Sequence, residues 1–331
     1  MKRGKISCLP ITVDGTQKLY RDGVLQDPRW CERQVGSGDN QHKQQTVYVI
    51  EANITLQNGL TIPLATEYLY RHTNQLMQEH GKQDCEITAF ERLAEKLKRH
   101  FPRLKLIFFF DAMYATQGVM EILHKNGWNY LISLPKNKLT NFAKRLNQCR
   151  KLARPIPNQP AYRKRWQTFY WENALSYGYD WQLDINLVGC DEHYDEVNKT
   201  TGKIEDRYVS KAWISSIPLS INNVHELINL GARKKELIED SINTEKNRGY
   251  HYKHAFCYHW NAMQGFHHLM RLAHAINAIC EFTKALKKYI RAYGCSALLK
   301  LIKETLFSPW LSLEWYQSQL TKVPQLRLQL G

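Results

Sequence analysis

The chain has 331 residues, room for one large domain or two ordinary ones. Its 43% hydrophobic and 11% aromatic content excludes a disordered or fibrous protein. Lys and Arg number 46 against 31 Asp and Glu, a net charge of +15 that favours a polyanionic partner such as nucleic acid.

Residues 5–13 read as a mostly apolar strand that stops at the turn signal Asp14-Gly15-Thr16. A polar stretch with Gly36 and Gly38 follows. Thr46–Ile54 and Leu60–Tyr68 then read as strands joined by Gln57-Asn58-Gly59, a hairpin signal. In residues 85–100 the spacing of Ile87, Phe90, Leu93, Ala94 and Leu97 predicts an amphipathic helix closed by Pro102. Leu104–Phe110 is a continuous apolar run, as in a strand buried on both faces, and it ends at Asp111. A short helix at 115–126 and a buried strand at 128–134 complete a β-β-β-α-β-α-β order. That order suits a mixed α/β sheet flanked by helices.

Composition changes after Pro135. From Lys136 to Trp171 there are ten Lys or Arg and no Asp or Glu, and Trp166, Phe169, Tyr170 and Trp171 lie close together. β-prone stretches follow at 179–190 and 207–217, so 136–217 reads as an inserted, basic, β-rich subdomain. Helical patterning returns at about 221–247 and again at 258–305. No apolar run reaches the length of a membrane span, the N-terminus lacks the apolar core of a signal peptide, and the eight cysteines contain no C-x-x-C pair. A cytoplasmic chain without a disulfide framework is expected.

Asp14 and Asp111 each follow a predicted strand, where open α/β sheets present functional groups. Either one alone reads equally well as a turn or helix-cap residue. In the helix IEDSINTEKNRGY, the offsets of four, four and three place Lys235, Glu239, Asn243 and Lys246 on one face. By spacing that face also reads as a solvated, ion-paired surface. Three carboxylates from separate elements are what two-metal phosphodiester chemistry requires, because hard divalent ions take oxygen ligands.

The segments VDGTQ at 13–17, LQDPRWCER at 25–33, TVYVIEAN at 46–53, KQDCEITAFERL at 82–93, FFDAMYATQGVM at 109–120 and NLGARKKELIEDSINTEKNRGYHYKHAF at 229–256 occur in order along the chain. Together they resemble the DDE transposases of bacterial insertion sequences, in the group with a Y-R-E-K signature around its glutamate. The resemblance implies an RNase H-like fold of mixed α/β class, with a β-rich insertion before the glutamate helix and a helical C-terminus. It implies core residues 1–135, insertion 136–217, glutamate helix 218–257 and a C-terminal helical region 258–331.

Carried over residue by residue, it makes Asp14, Asp111 and Glu239 the catalytic and metal-binding carboxylates for two Mg²⁺ (or Mn²⁺) ions. Lys246 matches the signature lysine, Lys235 stands where relatives have Arg, and Ala232 occupies the signature tyrosine's place. Lys246, Lys235, Arg233, Arg163, Lys164, Arg165 and Trp166 are the expected DNA contacts, with Trp166, Tyr170 and Trp171 candidates for base stacking. The implied partner is double-stranded DNA at transposon ends and target, handled by a homodimer without a membrane, in a cytoplasmic, nucleoid-associated protein. Relatives carry a DNA-binding region ahead of the first Asp, so a shortened form is expected. The rival readings are an RNase H-like nuclease without strand transfer and a decayed or truncated transposase that only binds DNA. His251, His254, Cys257 and His259 cluster in sequence but fit no standard zinc spacing.

Overall fold

The structure is a computed structural model describing residues 8–23, 27–71, 84–134, 140–151, 164–177, 182–198 and 200–307, with 314, 317 and 318. The chain divides into two compact units, Met1–Ala278 and Ile279–Gly331.

The first unit is organised on one mixed sheet. Its strands are β1 (Leu9–Asp22), β2 (Cys31–Val35), β3 (His42–Thr55), β4 (Thr61–Tyr68), β5 (Leu106–Phe110), β6 (Asn129–Ser133), β7 (Trp166–Tyr177), β8 (Leu183–Val197) and β9 (Ile204–Ser215). They lie in the order β2-β3-β1-β5-β6-β9-β8-β7, with β4 also pairing β3. β1 is antiparallel to β3 and parallel to β5, and β5 is parallel to β6. The strand sequence β4-β3-β1-β5-β6 agrees with the RNase H-like expectation. The predicted hairpin is present as β3 and β4, with Gly59 at φ +93 in the turn, a conformation glycine adopts without a Cβ clash.

The apolar run of β5 is buried on both faces because helical elements cover each side. Leu106, Phe108 and Phe110 face one cluster; Ile107 and Phe109 face another. On the first face lie α1 (Glu86–His100) and α2 (Gln117–Lys125). There Phe90 meets Phe108 and Phe110 edge-on at 6.0 and 5.1 Å between ring centroids. Fully burying each such ring contributes about 1.5–3 kcal/mol. On the opposite face lie the segment 224–235 and α4 (Glu236–Asn247), with α5 (Trp260–Phe282) farther along.

Several elements depart from the expected order. β1 does not stop at Asp14 but runs on to Asp22, with a register shift between Gln17 and Leu19. β2 lies within the stretch read as a polar loop. The insertion opens on a helix, α3 (Thr140–Lys151), and Trp166–Tyr177 is a strand. The three inserted strands extend the core sheet, because β9 pairs with β6 antiparallel. The predicted helix over 221–247 is a chain of different turns: a single helical turn at Val224–Glu226, a π stretch at Leu227–Gly231, a 3-10 stretch at Ala232–Lys235 and then α4. In the second unit α6 (Lys284–Tyr293) is capped by the Thr283 hydroxyl and ends at Gly294, φ +82, before α7 (Cys295–Phe307). Among the described residues no helix is long and apolar enough to cross a membrane.

Candidate active site

The register of β1 and β5 brings Asp14 and Asp111 together. Thr12 lies beside Phe109 in the parallel pair, so positions two residues further along, Asp14 and Asp111, stand level on the same face. Glu239 comes from the first turn of α4, which lies over that face. The approach of this helical region to the sheet depends on Gly231, where a Cβ would stand 2.9 Å from the Phe109 ring.

The three carboxylates surround one ammonium. Lys235 Nζ lies 2.6 Å from Asp111 Oδ2, 3.3 Å from Glu239 Oε1 and 3.4 Å from Asp14 Oδ1. The lysine side chain is only 9% exposed, whereas those of Asp111 and Glu239 are about half exposed. Burial alone would depress the Lys235 pKa, but the hydrogen bond to Asp111 and the charges of the three acids outweigh it and hold it above the ordinary value. Asp14 is raised, first by burial, with Asp111 and Glu239 adding to the effect and Lys235 opposing it. A cation is therefore favoured here whether a lysine or a metal supplies it.

Among the described residues no three His, Cys, Asp or Glu side chains are drawn together closely enough to hold an ion as they stand. The site is set around an ammonium at hydrogen-bond distance, whereas Mg²⁺ requires oxygens at about 2.0–2.1 Å. The chemistry of the donors nevertheless fits such an ion: three carboxylates on separate elements, whose oxygens are hard donors, converge where a positive charge already sits. Binding would require Lys235 to withdraw and the carboxylates to close inward.

On the other face of β1, Gly15 allows a fourth carboxylate to approach. A Cβ there would lie 2.2–2.5 Å from the Glu86 carboxyl atoms. Tyr48 and Tyr114 donate to Glu86 at 3.0 and 2.9 Å, fixing it. A cavity of about 410 Å³ adjoins the acids, bounded by Asp111, Glu239, Tyr170, Lys211 and Trp213 among others.

The remaining predicted contacts fall in different surroundings. Lys246 donates to the Thr16 hydroxyl on β1, and its pKa is lowered, mainly by burial and then by Lys253. Arg233 is buried and ion-paired with Glu192; Arg165 reaches the same Glu192 at 2.9 Å and covers the Tyr194 ring. Arg233 ties the segment before α4 to the insertion and Arg165 holds the same carboxylate from within the insertion, so a phosphate would have to compete with a buried carboxylate for either. Lys164 is exposed at φ +60, and Trp166 is 68% exposed. Tyr170 is buried, bonds to Asp191 and bounds the cavity beside the acids, and Trp171 is half-buried against the core. Arg163 lies outside the described residues. In the histidine cluster, His254 Nδ1 and Cys257 Sγ accept local backbone N–H bonds.

A buried polar group went unpredicted. Glu51, opposite Asp14 in the β1–β3 register, receives Tyr252 at 2.9 Å, His267 at 3.0 Å and Thr66 at 2.6 Å. Arg271 links it to Glu245 of α4. Lys18 donates to the Tyr252 carbonyl at 2.9 Å, and burial lowers its pKa to about 8. The sequence carries one signal for this: His267, Arg271 and His274 recur at offsets of four and three on an otherwise apolar helix face.

A family model described as "Transposase DDE domain" matches residues 77–277. That span is more than half of the chain; it includes Asp111 and Glu239 and begins after Asp14. No match was found among curated proteins.

Proposed function

The chain belongs to the DDE-domain transposase family, and on that premise we propose that it cuts DNA at transposon ends and joins the freed 3′ ends to target DNA. The observation that carries this reading is the convergence of Asp14, Asp111 and Glu239 on one point within 3.4 Å of each.

Asp14, Asp111 and Glu239 would hold two divalent ions, Mg²⁺ or Mn²⁺. When bound, such ions activate the attacking hydroxyl and stabilise the leaving oxygen. Asp14, the most buried of the three acids, anchors the site from the rigid sheet. Glu239, on the helix and more exposed, has the freedom to close last. Lys235, once displaced from between the acids, stands beside the scissile phosphate and can neutralise it. It lacks the planar fork that Arg would offer, so it acts as a point charge. Lys246 faces the same strand through Thr16 and supplies a second phosphate contact.

Lys164 and the exposed indole of Trp166 give the insertion a basic, stacking surface for the DNA end. The Y-R-E-K subgroup, a homodimeric synapse that cuts two ends together, and a cytoplasmic, nucleoid-associated location belong to the same proposal. So does the division into core, insertion, glutamate helix and C-terminal helices.

The test is a joining assay. Purified protein is mixed with a labelled duplex carrying the DNA that flanks its reading frame, a target plasmid, and Mg²⁺ or Mn²⁺. Labelled end joined to the plasmid is expected. Nicked duplex without joined product would assign a nuclease, and tight binding with no nick would assign a DNA-binding remnant.

A further inference from the structure

Helix α4 presents Glu239 on one side and contacts the sheet with another. Its apolar contacts, Ile238 and Ile242, are buried but non-directional. They would tolerate rotation or a slip along the axis. A buried set of polar bonds on the same helix is directional. Ser241 accepts from Asn53 Nδ2 on β3 at 3.2 Å. Glu245, one turn on and fully buried, takes both oxygens to Arg271 Nη1 at 3.0 and 3.1 Å. Arg271 Nη2 meanwhile reaches Asn53 Oδ1 at 2.6 Å and Glu51 Oε2 at 3.1 Å. His274 adds a bond to Glu245 at 2.6 Å.

Asn53 and Glu51 are the β3 residues paired with Thr12 and Asp14 of β1. One guanidinium on α5 therefore joins the helix carrying Glu239 to the strand register carrying Asp14. The charges are matched in the interior: Glu51 and Glu245 against Arg271 and Lys18. Replacing such a group by an apolar residue would leave a buried carboxylate without its partner, so the arrangement is costly to disturb. Such ionic bonds contribute more to uniqueness of geometry than to net stability when their pairing is complete.

We propose that Arg271 is a positioning residue for the carboxylate site: by bridging Glu245 to Glu51 and Asn53 it fixes the rotation and axial register of α4, and so the placement of Glu239 relative to Asp14. Glu245 lies about 9 Å along the helix from Glu239 at 1.5 Å per residue, and none of the side chains that Arg271 bonds is one of the three acids. The inference rests on the reading of Glu239 as a metal ligand given above.

The experiment measures Mn²⁺ binding to the full-length protein by electron paramagnetic resonance of the free ion, in a double-mutant cycle of Arg271→Gln and Glu239→Gln. Unfolding midpoints confirm that each variant is folded at the assay temperature. Changes in a packed network that touch neither site typically alter coupling by about 2–30-fold. Arg271→Gln is expected to cost at least about fivefold when Glu239 is present and less than about twofold in the Glu239→Gln background. Arg271→Lys, which keeps the charge but not the fork, should recover part of the loss. An equal loss in both backgrounds would mean that Arg271 only stabilises the fold and would overturn the proposal.

If Arg271→Gln does not fold, Ser241→Ala, which removes one neutral bond from the same bracing set, decides by the same criterion with a smaller coupled loss. No effect of Glu239→Gln alone on Mn²⁺ binding would instead refute the assignment of Glu239 as a ligand, and with it this inference.

Discussion

Replacing Lys235 by Met removes the ammonium from the centre of three carboxylates while keeping most of the side chain's length. Its contacts lie at 2.6, 3.3 and 3.4 Å. At an effective dielectric of about 20, a unit pair at ~3 Å is worth about 5 kcal/mol before desolvation. That figure does not apply evenly. Asp111 and Glu239 are half exposed, and pairs with such partners contribute about 0–1 kcal/mol each. Asp14 is the best-shielded partner and Asp111 the nearest, and these two carry most of the interaction. Setting the desolvation of Lys235 against these gains leaves a net loss of about 2–4 kcal/mol on replacement, close to the cost of breaking a largely buried pair.

In the variant without divalent ions, three anions face one another uncompensated. Adding Mn²⁺ should restore that charge balance, and binding no longer has to displace a lysine. Since about 1.4 kcal/mol is a factor of ten, Lys235→Met should bind Mn²⁺ at least about tenfold more tightly than the wild type. Urea unfolding with and without Mn²⁺, together with a direct Mn²⁺ titration, measures both effects. Weaker Mn²⁺ binding by the variant, or a stability deficit unchanged at saturating Mn²⁺, would refute the view that Lys235 holds the ion's place.

Gly15→Ala would put a methyl 2.2–2.5 Å from the Glu86 carboxyl atoms. It should lower unfolding free energy by about 1–3 kcal/mol, with much of the loss relieved when Glu86 is also replaced by Ala. An unchanged melting temperature would show that Glu86 moves freely. Glu51 should make the fold acid-sensitive. Burial pushes its carboxyl up, but Arg271, His267 and the bonds from His267 and Thr66 together hold it at about 2, below the ordinary 4.5. A depressed folded-state pKa gives stability that is present above the unfolded value and lost as pH falls from ~4.5 through ~2, on the order of 3 kcal/mol for this group. Glu51→Gln, less stable at pH 7, should lack that part of the slope in urea melts across this window; an identical slope would contradict the assignment. Trp166→Ala, at an exposed position, should weaken binding of DNA ends with unpaired bases by about 1–3 kcal/mol per stacked base while leaving the melting temperature unchanged. A matching drop in melting temperature would instead make the indole structural.

The elements most legible in the sequence were those whose local chemistry agrees with their tertiary surroundings. The Asn58-Gly59 hairpin, the apolar stripe of α1 and the doubly buried β5 each carry their own signal. Asp14-Gly15-Thr16 reads as a turn that ends β1, whereas Gly15 is a mid-strand residue where Glu86 packs too close for a Cβ. β2 has polar residues on both faces, Glu32, Arg33 and Gln34, and owes its conformation to pairing with β3. α3 has little apolar surface: Leu146 is the buried hydrophobic among its described side chains.

In the aromatic run at 166–171 sequence alone does not separate rings that stack on a base from rings that pack in the core; Phe169 and Tyr170 pack in the core, and Trp166 is exposed. Asp14 and Asp111 stand out as strand-end residues, but their grouping with Glu239 is legible only through the ordered family-like segments. Lys235 and Glu239, four residues apart, look like an ordinary surface ion pair until the sheet brings Asp14 and Asp111 to the same ammonium. The Arg271 bridge was hidden for a related reason: Glu51 and His267 are 216 positions apart, and their pairing exists only in the folded topology.

The most direct measurement is divalent-ion-dependent nicking of a labelled transposon-end duplex by the wild type and by Asp14→Ala, Asp111→Ala and Glu239→Ala, with DNA affinity measured in parallel. Nicking by the wild type only is expected, with each variant binding DNA nearly as well. Nicking retained by any one of the three variants would contradict the assignment of that carboxylate to the catalytic site.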